Sequence, residues 1–248
     1  MAAPARKILI LGGTGEARVL AGLLAEAKGL KTVTSLAGRT AAPELPPGEW
    51  RRGGFGGANG LAVYLEREAI GLVADVTHPF AATMSRNAAE ACRRTGTAYV
   101  RLERPAWRPE RGDRWQEVEN IAQAAAAISS GARAFLTIGR KDIAAFFART
   151  DTNILARMIE PPEAALPPHV AIFLARPPFT VEGEEVLLKE RGITVLVCKN
   201  SGGDATNAKL AAARRLGLPV IMIERPEKPA APSAATAQGL RDLILRLP

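Results

Sequence analysis

The hydrophobic positions of this chain fall into short continuous runs, separated by stretches in which apolar residues recur three and four apart. The first run, Ile8-Leu9-Ile10-Leu11, is partly β-branched and predicts a parallel strand covered on both faces. Glycines follow at positions 12, 13 and 15, and Val19, Leu20, Leu23 and Leu24 then repeat at helical spacing. The same grammar continues. Leu30–Ser35 predicts a second strand, Trp50–Phe55 a short third, the residues around Leu61 and Leu65 a helix, and Leu72–Val76 a strand. Pro79 suits the first turn of a helix running to Arg94, and Ala98–Leu102 is the next strand. The proline-bearing, charged stretch Arg104–Arg114 predicts a linker. Beyond it, Asn120 opens an alanine-rich helix, and Ala134–Ile138, Asn153–Met158, Val170–Leu174, Ile193–Val197 and Val220–Ile223 predict strands. Thr180–Glu190 and Asp204–Leu216 predict helices, and a Pro/Ala tail leads into a short last one. Strands alternating with helices predict an α/β fold on doubly wound parallel sheets.

The two halves resemble each other. A constant shift of 121 positions superposes Gly71 on Gly192, Arg93-Arg94 on Arg214-Arg215, Gly96 on Gly217 and Glu103-Arg104-Pro105 on Glu224-Arg225-Pro226. These identities fall at matching points of strand–helix–strand, which predicts two similar α/β domains, 1–108 and 109–248, facing a shared cleft. The shift also lays Thr77-His78-Pro79-Phe80 on Cys198-Lys199-Asn200-Ser201. Both segments follow a buried strand, so both are expected at carboxyl ends of strands, where open α/β sheets bind ligands.

Composition narrows the classes. No apolar stretch approaches the roughly 18 residues of a membrane span, and the run after Lys7 is too short for a signal peptide, so a cytoplasmic protein is expected. Two distant cysteines, Cys92 and Cys198, make no disulfide framework, and with His78 and His169 as the two histidines no metal site is expected. The formal charge is +8, but there is no Lys/Arg block and no basic–aromatic interleaving, which argues against nucleic acid. A spread positive field suits a small polyanion as well as it suits plain solubility.

The candidate chemistry sits at the turns. Gly12-Gly13-Thr14-Gly15-Glu16 between strand and helix is the geometry that presents backbone N–H groups to a phosphate, although Arg18 stands where a third glycine belongs. A plain tight turn is the other reading, and Glu16 can equally complement the helix dipole or face a cofactor. An NAD site carries an acid about 20 residues beyond its glycines; here that loop is Ser35-Leu36-Ala37-Gly38-Arg39, with no acid. A hydroxyl and a guanidinium in that place point to NADPH, with a solvated Arg39 as the plain alternative. Gly54 and Phe55, in the turn Gly53–Gly57, let a cofactor approach the backbone or merely make the turn flexible. Thr77, His78 and Pro79 hold a histidine at a strand end, where it donates a proton, contacts the cofactor or orders the turn. Lys199, Asn200, Ser201, Gly202 and Gly203 offer donors for an anion, with Asp204 placed to cap the following helix, and Arg140 and Lys141 add charge to the same edge of the second half.

Taken together, Gly12–Arg18, Ser35–Arg39, Asp75–Ala81 and Lys199–Gly203 resemble the precorrin-6A reductase family, the NADPH-dependent reductases of corrin biosynthesis. The resemblance implies reduction of one macrocycle double bond (C18=C19) of precorrin-6A to precorrin-6B, with hydride from NADPH. It implies a polycarboxylate tetrapyrrole as the partner of Arg140, Lys141 and Lys199–Gly203, and His78 as a positioning or acid group. A cobalt-bearing substrate and a non-catalytic NADP-binding regulatory protein remain as alternatives.

Overall fold

The computed structural model describes residues 6–38 and 44–247. It divides into two compact units, Met1–Pro105 with Pro226–Pro248, and Ala106–Arg225.

The first unit runs β1 (Arg6–Leu11), α1 (Gly15–Ala25), β2 (Leu30–Leu36), β3 (Glu49–Arg52), α2 (Gly57–Arg67), β4 (Ile70–Asp75), α3 (Ala82–Thr95) and β5 (Ala98–Leu102). The second holds β6 (Arg114–Val118), α4 (Ile121–Ala127), β7 (Arg133–Thr137), β8 (Asn153–Met158), β9 (Val170–Leu174), α5 (Val181–Glu190), β10 (Val195–Lys199), α6 (Ala208–Arg215) and β11 (Pro219–Ile223). The chain then returns to the first unit as β12 (Ser233–Ala234) and α7 (Ala237–Arg246). Each sheet has six strands, ordered β12-β5-β4-β1-β2-β3 and β6-β11-β10-β7-β8-β9, and every pairing is parallel.

The continuous apolar runs are explained by two covered faces. Ile8 and Ile10 of β1 pack with α1 and α7, while Leu9 and Leu11 pack with α2 and α3 on the other side. Alternate side chains of one strand therefore serve two layers. Helix starts follow local chemistry: Thr14, Asn120 and Thr180 each accept a backbone N–H at the N-cap.

The domain boundary expected at 108/109 is corrected. The segment Pro226–Pro248 belongs to the first unit, because β12 pairs with β5 and Leu240 and Ile244 of α7 bury beside Leu20 and Leu24 of α1. One edge strand of each sheet, β12 or β6, is thus supplied by the segment that follows a strand of the other sheet, β11 or β5. The expected linker ends where β6 begins; that strand is polar, with Val118 alone buried, so no periodicity announces it. Pro79 lies in the turn ahead of α3 rather than in its first turn. Positive φ at Gly53 ends β3 early, and positive φ at Gly202 and Gly203 delays α6 to Ala208, leaving Asp204 exposed in a turn instead of capping the helix.

The repeat also needs one adjustment. Asp75 lies opposite Arg101 and Cys198 opposite Met222. Arg101 and Met222 keep the separation of 121, whereas Asp75 and Cys198 are 123 apart, so Thr77 corresponds to Asn200 and His78 to Ser201.

Candidate functional site

The first unit has its topological switch between β1 and β4, where the chain turns to opposite sides of the sheet and ligands of such folds bind at the carboxyl ends. Gly12 follows β1 and donates its N–H to Ser35 O at 2.9 Å. A side chain there would place Cβ 2.9 Å from Thr34 Cγ2, so this turn against β2 requires glycine. Gly13, at φ 101, and Gly15 have open space where a Cβ would stand, leaving their backbone open to approach at the N-terminus of α1. Thr14 does two things with one hydroxyl. It accepts from Ala17 N at 3.2 Å and donates to Val76 O at 2.8 Å, tying the β1 turn to the β4 turn. Glu16 pairs with Arg104, which sequence reading did not foresee. The missing third glycine is also resolved: Ala17, not Arg18, faces the sheet, and Arg18 turns outward to pair with Glu44.

The turn after β4 hangs from a buried carboxylate. Asp75, 1% exposed, accepts from Thr77 N at 3.0 Å and Thr77 Oγ1 at 2.6 Å on Oδ1, and from Ser85 Oγ at 2.5 Å and Tyr99 OH at 2.8 Å on Oδ2. Burial pushes the Tyr99 hydroxyl pKa well above its ordinary value, and the Asp75 charge adds to this. His78 Nδ1 accepts the Phe80 N–H at 3.2 Å, which assigns the proton of the neutral ring to Nε2. Pro79 and Phe80 complete a half-buried turn. From the C-terminal tail, Lys228 Nζ donates to His78 O at 3.2 Å and lies 3.5 Å from Thr77 Oγ1.

At the edge formed by β2 and β3, the central residue is one that no motif announced. Arg51 lies opposite Ser35 in the register and donates to Ser35 Oγ at 2.8 Å, to Gly53 O at 2.9 Å and to Gly54 O at 3.2 Å. Its guanidinium stacks 4.0 Å from the Phe55 ring centroid, and Phe55 meets Tyr64 edge-on at 5.1 Å. Ser35 is buried and reaches its surroundings through Arg51. Arg39 lies outside the described residues.

Residues 7–244 match the family described as precorrin-6x reductase CbiJ/CobK. The chain belongs to that family. It is 51% identical over 226 residues to a precorrin-6A reductase of Rhodococcus erythropolis, covering 91% of each chain. With a precorrin-6A reductase of Rhodobacter capsulatus it shares 48% over 236 residues, 94% of each. A solved structure named CobK precorrin-6A reductase superposes with TM-score 0.91 at 47% identity, covering 97% of this chain and 96% of that one.

In this member of the precorrin-6x reductase family the second unit carries a braced turn of its own. Lys199 Nζ donates to Ile138 O at 2.8 Å and pairs with Asp142, binding the turn after β10 to Gly139–Asp142. Asn200, buried, exchanges hydrogen bonds with the Trp107 backbone at 2.8 and 3.0 Å, and Trp107 Nε1 donates to Gly203 O at 3.0 Å. Ser201 O and Asn200 O accept from Arg225 at 3.0 and 2.7 Å. Lys209 supports this turn from below. It is buried, donates to Thr206 O at 2.5 Å and lies 4.6 Å from the Trp107 ring, and burial lowers its pKa. Arg140 is half-buried and paired with Glu160, Lys141 exposed, Gly202 buried and Gly203 half-buried. The expected donors Lys199 and Asn200 thus shape the turn they stand on. Trp107 and Arg225 were invisible as site residues, because their partners lie 93 and 24–25 positions away.

Among the described residues no group of three or more His, Cys, Asp or Glu could hold a metal ion, and no helix is long and apolar enough to cross a membrane. Burial pushes the thiols of Cys92 and Cys198 up to about 12 and about 11, so both stay protonated near neutral pH.

Proposed function

We propose that this chain reduces precorrin-6A to precorrin-6B with NADPH, at a dinucleotide site built on the first unit. The observation that carries this reading is the open backbone of Gly13 and Gly15 at the N-terminus of α1, joined through Thr14 to the β4 turn. Such a cradle fits a pyrophosphate, because N-terminal N–H groups and the helix dipole both favour negative charge. Gly12–Glu16 would hold that group. Ser35, Arg39 and Arg51 would hold the 2′-phosphate, Gly54 and Phe55 would flank the adenosine end, and Thr77, His78 and Pro79 would hold the nicotinamide end. The absence of an acid at the end of β2 favours NADPH over NADH, since a carboxylate there would repel the 2′-phosphate.

NADPH supplies a hydride when bound. Saturating C18=C19 takes that hydride and one proton, and the chain's own work is to hold the reactants in register and keep competing chemistry out. His78, with its ring proton on Nε2, is proposed as a positioning group that presents a hydrogen-bond donor; the acid role would need the imidazolium, whose Nδ1 gives up the Phe80 N–H. Arg140, Lys141 and the Lys199–Gly203 turn are proposed to bind substrate carboxylates, a use that also gives the +8 charge a purpose. Both cysteines are free and buried, which suits the reducing cytoplasm to which we assign the reaction.

The test mixes the protein with NADPH and precorrin-6A and follows loss of NADPH absorbance, with NADH in parallel. Turnover with NADPH far above NADH is the expected result. NADPH binding without oxidation by precorrin-6A or its cobalt-bearing counterpart would replace the enzyme with an NADP-binding regulator.

A further inference from the structure

The tail between β11 and β12 brings a cation to the cofactor turn from 150 residues away. Lys228 stands between Pro226 and Pro229, whose rings lock φ and stiffen the segment. Its downstream end is fastened to β5. Arg101 N donates to Pro232 O at 3.0 Å, the Arg101 guanidinium donates to Pro229 O, and Glu103 N donates to Ala234 O at 2.8 Å. The tail is therefore a strap laid along the edge of the first sheet, with Lys228 half-buried on it.

What Lys228 touches is specific. His78 O accepts from Ala81 N at 2.8 Å and from Lys228 Nζ at 3.2 Å, which uses both of its lone pairs. The same ammonium lies 3.5 Å from Thr77 Oγ1, whose hydroxyl donates to buried Asp75 at 2.6 Å. The bonds to Asp75 from Thr77, Ser85 and Tyr99 all come from neutral donors, and Lys228 is the cation that reaches this network through Thr77.

The second unit repeats the device with different residues. Ser201 corresponds to His78 and Asn200 to Thr77, and both carbonyls accept from Arg225. At the shift of 121 the counterpart of Arg225 is Arg104, but Arg104 is committed to Glu16 of the phosphate turn. One cation thus reaches the turn after β4 in the first unit, at one carbonyl and one hydroxyl, and the turn after β10 in the second, at two carbonyls, and in the first unit the strap delivers it.

We propose that Lys228 is a positioning residue for the dinucleotide, clamping the Thr77–His78 turn so that the nicotinamide end of the site is completed by the C-terminal strap. This rests on the NADPH reading given above. Its selectivity along the cofactor is what a merely structural role would lack: the clamp acts at the β4 turn, while the 2′-phosphate end depends on Ser35 and Arg51 at the β2–β3 edge.

The experiment titrates the full chain with NADPH and, separately, with adenosine 2′,5′-bisphosphate, which carries the 2′-phosphate end and no nicotinamide. Lys228→Met is expected to weaken NADPH about tenfold, the order that loss of one charge-assisted hydrogen bond produces, while the bisphosphate changes by less than about twofold. Lys228→Arg, which keeps the cation, is expected to return NADPH affinity to within about threefold of wild type. Wild-type affinity for NADPH in Lys228→Met, equal loss of both ligands, or failure of the arginine rescue would each overturn the clamp. Wild-type protein that binds neither ligand would overturn the NADPH reading itself, and the clamp with it.

Discussion

Replacing Asp75 with alanine tests whether the site hangs from a buried carboxylate. The side chain is 1% exposed and accepts four hydrogen bonds. Its removal strands the Ser85 hydroxyl, which at 0% exposure cannot turn to water, while Thr77 and Tyr99 are half-buried and recover part of their hydration. Each buried donor left without a partner costs about 1–3 kcal/mol. One full orphan and three partial ones amount to about 3–5 kcal/mol, a large share of the ~5–15 kcal/mol that holds a domain together. Asparagine should cost less, about 1–2 kcal/mol, because its oxygen still serves Thr77 and the two hydroxyls on the other side can rotate to accept from its amide. Urea unfolding followed by far-UV circular dichroism measures the total, and amide hydrogen exchange over 70–102 shows whether the loss is local to β4, α3 and β5. Stability of Asp75→Ala within about 1 kcal/mol of wild type would show that the β4 turn does not hang from this carboxylate. So would an asparagine variant as unstable as the alanine one, since asparagine keeps acceptors that alanine lacks.

Two further outcomes follow from single contacts. A Cβ added at Gly60 would stand 1.7 Å from Phe55 O, so Gly60→Ala must displace the Gly53–Gly57 turn; we expect a cost of about 1–3 kcal/mol and weakened NADPH binding, and unchanged affinity would show that Phe55 does not face the cofactor. Glu90 is held down to about 2 by hydrogen bonds from Arg93 and then Arg94. Its folded pKa therefore lies below the ordinary 4.5, so its contribution is present above that value and fades as pH falls toward 2. Glu90→Gln should flatten the melting-temperature profile across that window, least at high salt because the cluster is exposed; an unchanged slope would count against the pairing.

Much of the geometry of the turn after β1 was legible because it is made of local chemistry. Strand, glycines, N-cap threonine and helix follow one another within a few residues, and the fold then leaves the backbone of Gly13 and Gly15 open. What escaped reading depends on strand order. Arg51 was ordinary in sequence, and it became the brace of Ser35 and the Phe55 turn only when β3 paired with β2 in a register that sets the two opposite each other. Lys199 and Asn200 read as ligand donors because they are polar and follow a strand; that their side chains also hold Ile138, Asp142 and Trp107, residues up to 93 positions away, was not legible. The repeat was visible, but its alignment of the turns after β4 and β10 was two residues out, because strand pairing rather than identity fixes which residues correspond.

By itself the sequence determined the class of the protein. Doubly covered strands are continuously apolar, Thr and Asn satisfy helix N-termini, and positive φ favours Gly, so the alternation of elements and the glycine turn after β1 are written in neighbouring residues. Only the fold set the domain boundary, the edge strands β12 and β6 and the residues that brace the turns. β12 is two residues long and flanked by prolines and alanines, too short to carry a period. It is a strand because Arg101 and Leu102 of β5 offer it backbone partners, and Lys228 reaches His78 because that pairing fastens the strap. Interactions between distant segments are selected by the free energy of the whole unit, and no stretch of a few residues contains them.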